Sequence, residues 1–186
     1  MKKRLIVGCT GASGAPLAID LLRCLRETPD WESHLICSEG FCLSLSSESD
    51  FPLSSVLDLA DAVYDVHDLA AAPASGTFQT EGMVVIPCSM KTVAGIHSGF
   101  SDTLLLRAAD VTIKESRKLV LCARESPMSP IHLRNLYELS LLGVRILPPV
   151  MNFYSGAGTV EKQIRQIAGR CLNEFGISAE GFRRWK

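Results

Sequence analysis

The sequence predicts an α/β protein built on a parallel sheet with helices packed on both faces, a three-layer doubly wound arrangement. Three observations carry that prediction. Short apolar runs alternate along the chain with longer segments of helical period. The first run, Leu5–Val7, passes through a glycine-rich turn straight into a helix. The runs at Met83–Ile86 and Lys118–Ala123 read as strands buried on both faces, which only a sheet covered by helices supplies.

The elements follow in order. After Leu5–Val7 come Gly8, Gly11 and Gly14, separated by two residues each, and then Ala15–Leu25, with Leu17, Ala18, Leu21, Leu22 and Leu25 on one helical side. The spacing departs from G-x-G-x-x-G, so the dinucleotide fingerprint is missed. Backbone N–H groups in a strand–turn–helix of this kind, with the positive end of the helix, suit an anion, and a phosphate-bearing ligand is the expectation. His34–Ser38 reads as a second strand and Phe41–Ser47 as a helix closed by Glu48-Ser49-Asp50. Residues 51–72 form a connecting region with short helical pieces and a minor strand near Ala62–Tyr64, and Ser75–Thr80 is a loop. Met83–Ile86 stops at Pro87-Cys88-Ser89-Met90-Lys91-Thr92, and helical period returns over Thr92–Ser98 and Asp102–Ile113. Lys118–Ala123 ends at Arg124-Glu125, Ile131–Leu142 is helical, Val144–Leu147 is the last strand and Val160–Phe175 the last long helix. No repeat, low-complexity tract or linker divides the chain, so residues 1–186 are expected to form one domain.

Composition excludes several classes of partner. A net charge of −1 argues against nucleic acid or an anionic membrane. No apolar run reaches membrane-spanning length, and the glycine-broken segment after Met1-Lys2-Lys3-Arg4 is too short for a signal peptide. The seven cysteines are odd in number, scattered and never paired as C-x-x-C, which suits a reduced cytoplasm. The four histidines show no ligand spacing, so no metal is expected.

In a parallel sheet ligands bind at the carboxyl ends of the strands. Those ends are Gly11-Ala12-Ser13, Ser38, Ser89-Met90-Lys91-Thr92 and Arg124-Glu125. Three offer hydroxyls and free N–H groups and the fourth a guanidinium beside a carboxylate, a set suited to a phosphorylated, hydroxyl-rich ligand. Read alone, Arg170 is a solvated helix residue, Tyr154 packs a loop after Pro148-Pro149, Cys88 is core, and His97 and His132 are surface or interface groups.

At these residues the chain resembles the flavin prenyltransferases of the UbiX type, including the B subunits of phenolic-acid decarboxylase systems. The matching segments are Gly11-Ala12-Ser13-Gly14-Ala15, Pro87 to Thr92 with Ala94-Gly95-Ile96, Arg107-Ala108-Ala109-Asp110 before Lys114-Glu115, Leu119-Val120-Leu121 through Arg124-Glu125, and Pro148-Pro149, Phe153-Tyr154 and Arg170. The resemblance implies a flavodoxin-like or Rossmann-like fold, a homododecamer, and bound FMN. It implies transfer of a dimethylallyl group from dimethylallyl phosphate to N5 and C6 of reduced FMN, without a metal, the product serving a UbiD-type decarboxylase. Flavin contacts then fall on Gly11, Ala12, Ser13, Ser38, Ser89, Met90, Lys91, Thr92 and Arg124. Prenyl-phosphate contacts fall on Tyr154 and Arg170, with Lys114 and Glu125 close to the reacting groups and Arg107 and Glu48 supplied by neighbouring subunits. Glu125 is the expected proton acceptor and Ser13 its hydroxyl partner. Many members carry an aromatic residue and a glycine where this chain has Pro16-Leu17, a departure that bears on the pathway more than on the chemistry. Two rivals remain: a flavin-dependent cysteine decarboxylase, disfavoured because Pro87-Cys88-Ser89-Met90 replaces that group's Asn-containing segment, and a non-catalytic FMN-binding accessory subunit.

Overall fold

The computed structural model describes residues 2–185. Its strands are β1 (Lys3–Cys9), β2 (Trp31–Cys37), β3 (Ala62–Tyr64), β4 (Gly82–Cys88), β5 (Lys118–Ala123) and β6 (Arg145–Ile146). They form one sheet in the order β3-β2-β1-β4-β5-β6, with every neighbouring pair parallel. That is the order of a doubly wound nucleotide-binding sheet. The helices are α1 (Ala15–Arg26), α2 (Glu39–Glu48), α3 (Leu53–Leu57), α4 (Met90–Ser98), α5 (Leu104–Lys114), α6 (Pro130–Leu141) and α7 (Val160–Asn173).

Successive side chains of β1 point to opposite faces, and each face has its own core. Leu5, Val7 and Cys9 pack with Leu21 and Leu22 of α1 and with Ala168 and Leu172 of α7. Ile6 joins Val85 of β4, Val93 of α4, Leu105 and Ala108 of α5 and Leu139 of α6. Both central strands are therefore buried on two sides, which is why they read as apolar runs. The order reverses at β1: β2 and β3 lie to one side, β4 to β6 to the other, while α1 and α4 leave toward opposite faces.

Element ends differ from the periodicity where capping decides them. Ser89, extended at φ −79° and ψ 156°, accepts from Thr92 N and starts α4 at Met90 rather than at Thr92. Thr103 does the same for α5, leaving Asp102 outside the helix. His132, expected on the surface or at an interface, completes a reciprocal cap with Ser129 at the start of α6. The last strand is only Arg145–Ile146; Leu147 N still donates to Leu121 O of β5 at 2.9 Å, but neither it nor Val144 has a register partner there. The last helix stops at Asn173 instead of Phe175.

The segment after α7 folds back along it. Gln166 donates to Gly181 O at 2.7 Å and accepts from Arg183 N at 3.0 Å. Phe182 lies over Gly169 so closely that a methyl group there would sit 2.6 Å from the Phe182 Cβ. Arg165 forks onto both carboxylate oxygens of Asp20 at 2.8 and 2.9 Å and ties α7 to α1. Among the described residues no helix is long and apolar enough to cross a membrane.

His34 of β2 is 6% exposed, with Nδ1 2.9 Å from the Tyr64 hydroxyl and the Phe78 ring edge-on to its own. Burial lowers its pKa from the ordinary 6.5, against the smaller opposing pull of Glu32. The unfolded chain therefore binds this proton more tightly than the folded one, and stability falls as the pH drops through and below about 6.5. Glu32, held low by Arg4, acts only in the carboxylate range beneath that window. Melting temperature recorded from about pH 7.5 to 5.5 should decline, and His34→Gln should flatten the decline; an undiminished slope in that variant would exclude His34 as its source.

Candidate active site

The carboxyl ends of β1, β2 and β4 open into a cleft of about 410 Å³. Three helix starts line it: Ser38 to Gly40 at α2, Ser89, Lys91 and Thr92 at α4, and Thr103, Leu105 and Leu106 at α5. Each start is capped by a hydroxyl oxygen, Ser38 accepting from Phe41 N at 3.2 Å, Ser89 from Thr92 N at 3.3 Å and Thr103 from Leu106 N at 3.4 Å. Three positive helix ends and the Lys91 ammonium around one cavity favour an anion. Val66 and the two leucines supply apolar wall, and Glu39, His67 and Asp102 supply polar groups, His67 Nε2 lying 3.3 Å from Glu39 Oε1.

Gly11 and Gly40 meet backbone to backbone at this cleft. A methyl group on Gly11 would stand 2.9 Å from the Gly40 carbonyl carbon, so no side chain fits between the β1 turn and α2. The head of α1, where the glycine turn suggested an anion site, is used differently. Gly14 N and Ala15 N both donate to Glu48 Oε2, at 2.8 and 2.9 Å. A carboxylate of the same chain holds that position, whereas the resemblance implied that Glu48 comes from a neighbouring subunit. Ser13 is exposed in the turn just before these two N–H groups, and Ala12 and Met90 are buried beside the cleft residues.

Arg124 is joined to the β4 end through its N–H, which donates to Cys88 O at 3.0 Å. Glu125 is half-buried, with Oε1 accepting from Ser126 N at 2.9 Å rather than pairing with Arg124. Tyr154 and Arg170, 16 positions apart in the chain, share a second pocket of about 290 Å³ with Pro148, Gln166 and Phe182. The Trp185 ring meets Tyr154 edge-on with centroids 4.9 Å apart. Arg170 is paired with Glu174 one turn on.

Two expected residues lie elsewhere within one chain. Lys114 is the last residue of α5 and pairs with Glu115. Leu105, at the start of that helix, lines the cleft, and the helix rises about 1.5 Å per residue, so Lys114 stands at the far end of the sheet. Within one chain it therefore does not stand at the cleft that Leu105 lines. Arg107 turns away from the cleft to Asp110 and the Ala74 carbonyl. The sequence reading missed Thr10, Gly40, Thr103 and Trp185. The available signals were a hydroxyl directly after β1, a glycine two residues after Ser38 and a hydroxyl before an apolar helix; nothing local marks Trp185.

A doubly wound sheet with a glycine-crossed, helix-ringed cleft at its switch point defines a mononucleotide-binding α/β protein. The family described as Flavoprotein matches residues 1–169. The flavin prenyltransferase LpdB of Lactiplantibacillus plantarum is 48% identical over 184 residues, 99% of this chain and 98% of its own. A dodecameric FMN-dependent UbiX-like decarboxylase from Escherichia coli O157:H7 superimposes with a TM-score of 0.96 at 47% identity, covering 98% of this chain and 99% of that one. AnUbiX (PadA1), solved with FMN and dimethylallyl pyrophosphate, gives a TM-score of 0.97 at 47% identity over 100% of this chain and 98% of that one. The chain belongs to the flavoprotein family, among its UbiX-type flavin prenyltransferases.

Gly11→Ala tests the cleft directly. Displacing Gly40 should weaken flavin binding by at least about tenfold in a titration followed by flavin fluorescence, while the melting temperature stays within a few degrees. Unchanged affinity would show that the Gly11–Gly40 contact does not shape the flavin site.

Proposed function

We propose that this chain joins the dimethylallyl group of dimethylallyl phosphate to N5 and C6 of reduced FMN, making prenylated FMN for a UbiD-type decarboxylase. The observation that carries the reading is the pairing, in one chain of this family, of a cleft ringed by Ser38, Ser89, Lys91 and Thr92 with a pocket containing Tyr154 and Arg170. FMN fits the first on two features of the fold: the Gly11–Gly40 crossing excludes side chains, and the capped helix starts with Lys91 favour a phosphate. Gly11, Ala12, Ser13, Ser38, Ser89, Met90, Lys91, Thr92 and Arg124 would hold it. Reduced flavin supplies the nucleophile, so the chain needs no Ser–His or Cys–His pair.

The residues then have separable tasks. Arg170 offers a planar fork for the leaving phosphate, exchanging its Glu174 partner for a phosphate oxygen, and the Tyr154 hydroxyl donates to the same group. The Tyr154 and Trp185 rings present π-density that favours positive charge on the allyl fragment as the C–O bond breaks. Glu125 is the general base for the proton released as the second bond closes, with Ser13 as hydroxyl partner. Glu48 holds the turn that carries Ser13. Binding both reactants in contact and away from water contributes a large part of the acceleration.

Lys114 and Arg107 act, in this reading, on the site of a neighbouring copy in a homo-oligomer, a dodecamer by analogy with the Escherichia coli O157:H7 structure. An apolar stripe supports assembly: Leu133, Tyr137 and Leu141 recur every four residues on α6 and are all exposed. The proposed compartment is a reduced cytoplasm, supported by seven cysteines that are all free thiols.

Incubation with reduced FMN and either dimethylallyl phosphate or the pyrophosphate, followed by mass measurement of the released flavin, tests the reading. A gain of one five-carbon unit is expected with the monophosphate. Unchanged flavin mass with both donors would leave only the accessory FMN-binding subunit. Glu125→Gln should keep FMN bound and slow prenylation by about 100-fold or more, and wild-type rates would remove it from the mechanism. Tyr154→Phe with Arg170→Ala should raise KM for the prenyl phosphate about tenfold or more without weakening FMN; equal losses would mark both as supports of the fold.

A further inference from the structure

Pro87 interrupts the sheet at its most used point. The β1–β4 ladder pairs Leu5 through Gly8 with Gly82 through Val85 and goes no further. Pro87 has no N–H to continue it. Thr10 takes over at that break. Its backbone N–H donates to Pro87 O at 3.1 Å, its Oγ1 donates to the same oxygen at 2.9 Å, and Oγ1 accepts from Ser89 N at 2.8 Å. Thr10 is 2% exposed and both of its bonds to Pro87 O are interior, while the bond from Ser89 N lies at the half-buried edge of the cleft. One hydroxyl, donating once and accepting once, stands where two strand-to-strand bonds would otherwise run.

We propose that Thr10 is a positioning residue for flavin binding, acting through Ser89. With its N–H held by Thr10, Ser89 keeps the extended conformation that caps α4, and its Oγ reaches Thr92 N at 3.3 Å and Thr92 Oγ1 at 3.1 Å. The next carbonyl back, Cys88 O, is held from the other side by Arg124 N at 3.0 Å. The Cys88–Ser89 link is thus gripped between β1 and β5, and both neighbours carry groups of the candidate site. Loss of the Thr10 hydroxyl frees Ser89 N–H and one lone pair of Pro87 O inside the protein, and the head of α4 shifts to satisfy them. The hydroxyl's one proton is committed to Pro87 O, so it has none to donate to a ligand, and its effect passes through the placement of Ser89, Lys91 and Thr92.

The inference rests on the reading of the cleft as an FMN site, and its test separates the two. FMN affinity is measured by flavin fluorescence for the wild type, Thr10→Val, Thr10→Ser and, as a stability control, Leu25→Ala on α1. Thr10→Val, which keeps the shape and removes the hydroxyl, should weaken FMN about tenfold or more, and Thr10→Ser should recover most of that loss. Leu25→Ala should lower the melting temperature and leave FMN affinity within about twofold. Should Thr10→Val not accumulate as folded protein, Thr10→Ala removes the same hydroxyl and carries the comparison. Wild-type affinity in the hydroxyl-free variants, an equal loss in Thr10→Ser, or an equal loss in Leu25→Ala would overturn the proposal while leaving the FMN site standing. A wild-type chain that binds no FMN would overturn the site and the proposal together.

Discussion

The structure depends on a parting of the chain at the carboxyl ends of β1 and β4. Side by side up to Gly8 and Val85, the two strands then send α1 to one face and α4 to the other. A crevice opens between helices that diverge in this way, and its rim consists of helix starts. Rim geometry is set by small features: glycines where backbones touch, hydroxyls that cap, and a proline that ends the ladder. Each core half is built by a different set of helices, so the crevice is fixed by the packing of the whole molecule.

Much of this was legible from residue patterns because burial on two faces leaves an unmistakable record. The apolar runs at Leu5–Val7, Met83–Ile86 and Lys118–Ala123 became interior strands, and the segments behind β1, β2 and β4 became the cleft. Boundaries were harder to read. Caps such as Ser89 and Thr103 begin a helix through geometry that periodicity does not register, and β6 is too short to leave an alternation. The occupant of the head of α1 had no local signal: a helix start attracts any carboxylate, and Glu48, 34 residues beyond Gly14, reaches it. Long-range arrivals of that kind have no local signature. The same holds for Trp185, brought against Tyr154 only because the chain folds back along α7.

The two pockets divide the proposed chemistry between them. The cleft at the switch point is lined by hydroxyls, helix ends, the Lys91 ammonium, His67 and the carboxylates of Glu39 and Asp102, while the pocket under α7 offers a guanidinium and aromatic rings. They share no lining residue within one chain. Lys114 is held at the opposite end of the sheet by the length of α5, and Arg107 is turned to Asp110. In the proposed assembly, complementary groups on separate surfaces and an apolar stripe along α6 would bring the parts of the site together from different copies.

The distribution of sulfur has its own consequence. Cys9, Cys24, Cys88, Cys122 and Cys171 are interior, and burial pushes the Cys24 thiol up to about 11 and that of Cys88 higher still. Only Cys37 and Cys42 reach partway to solvent. Alkylating reagents attack the thiolate, so the interior five are silent until the surrounding layer opens. The molecule thereby carries its own clock for local opening: Cys122 and Cys171 time the separation of α7 from the sheet, and Cys88 times the breathing of the strand that feeds the cleft.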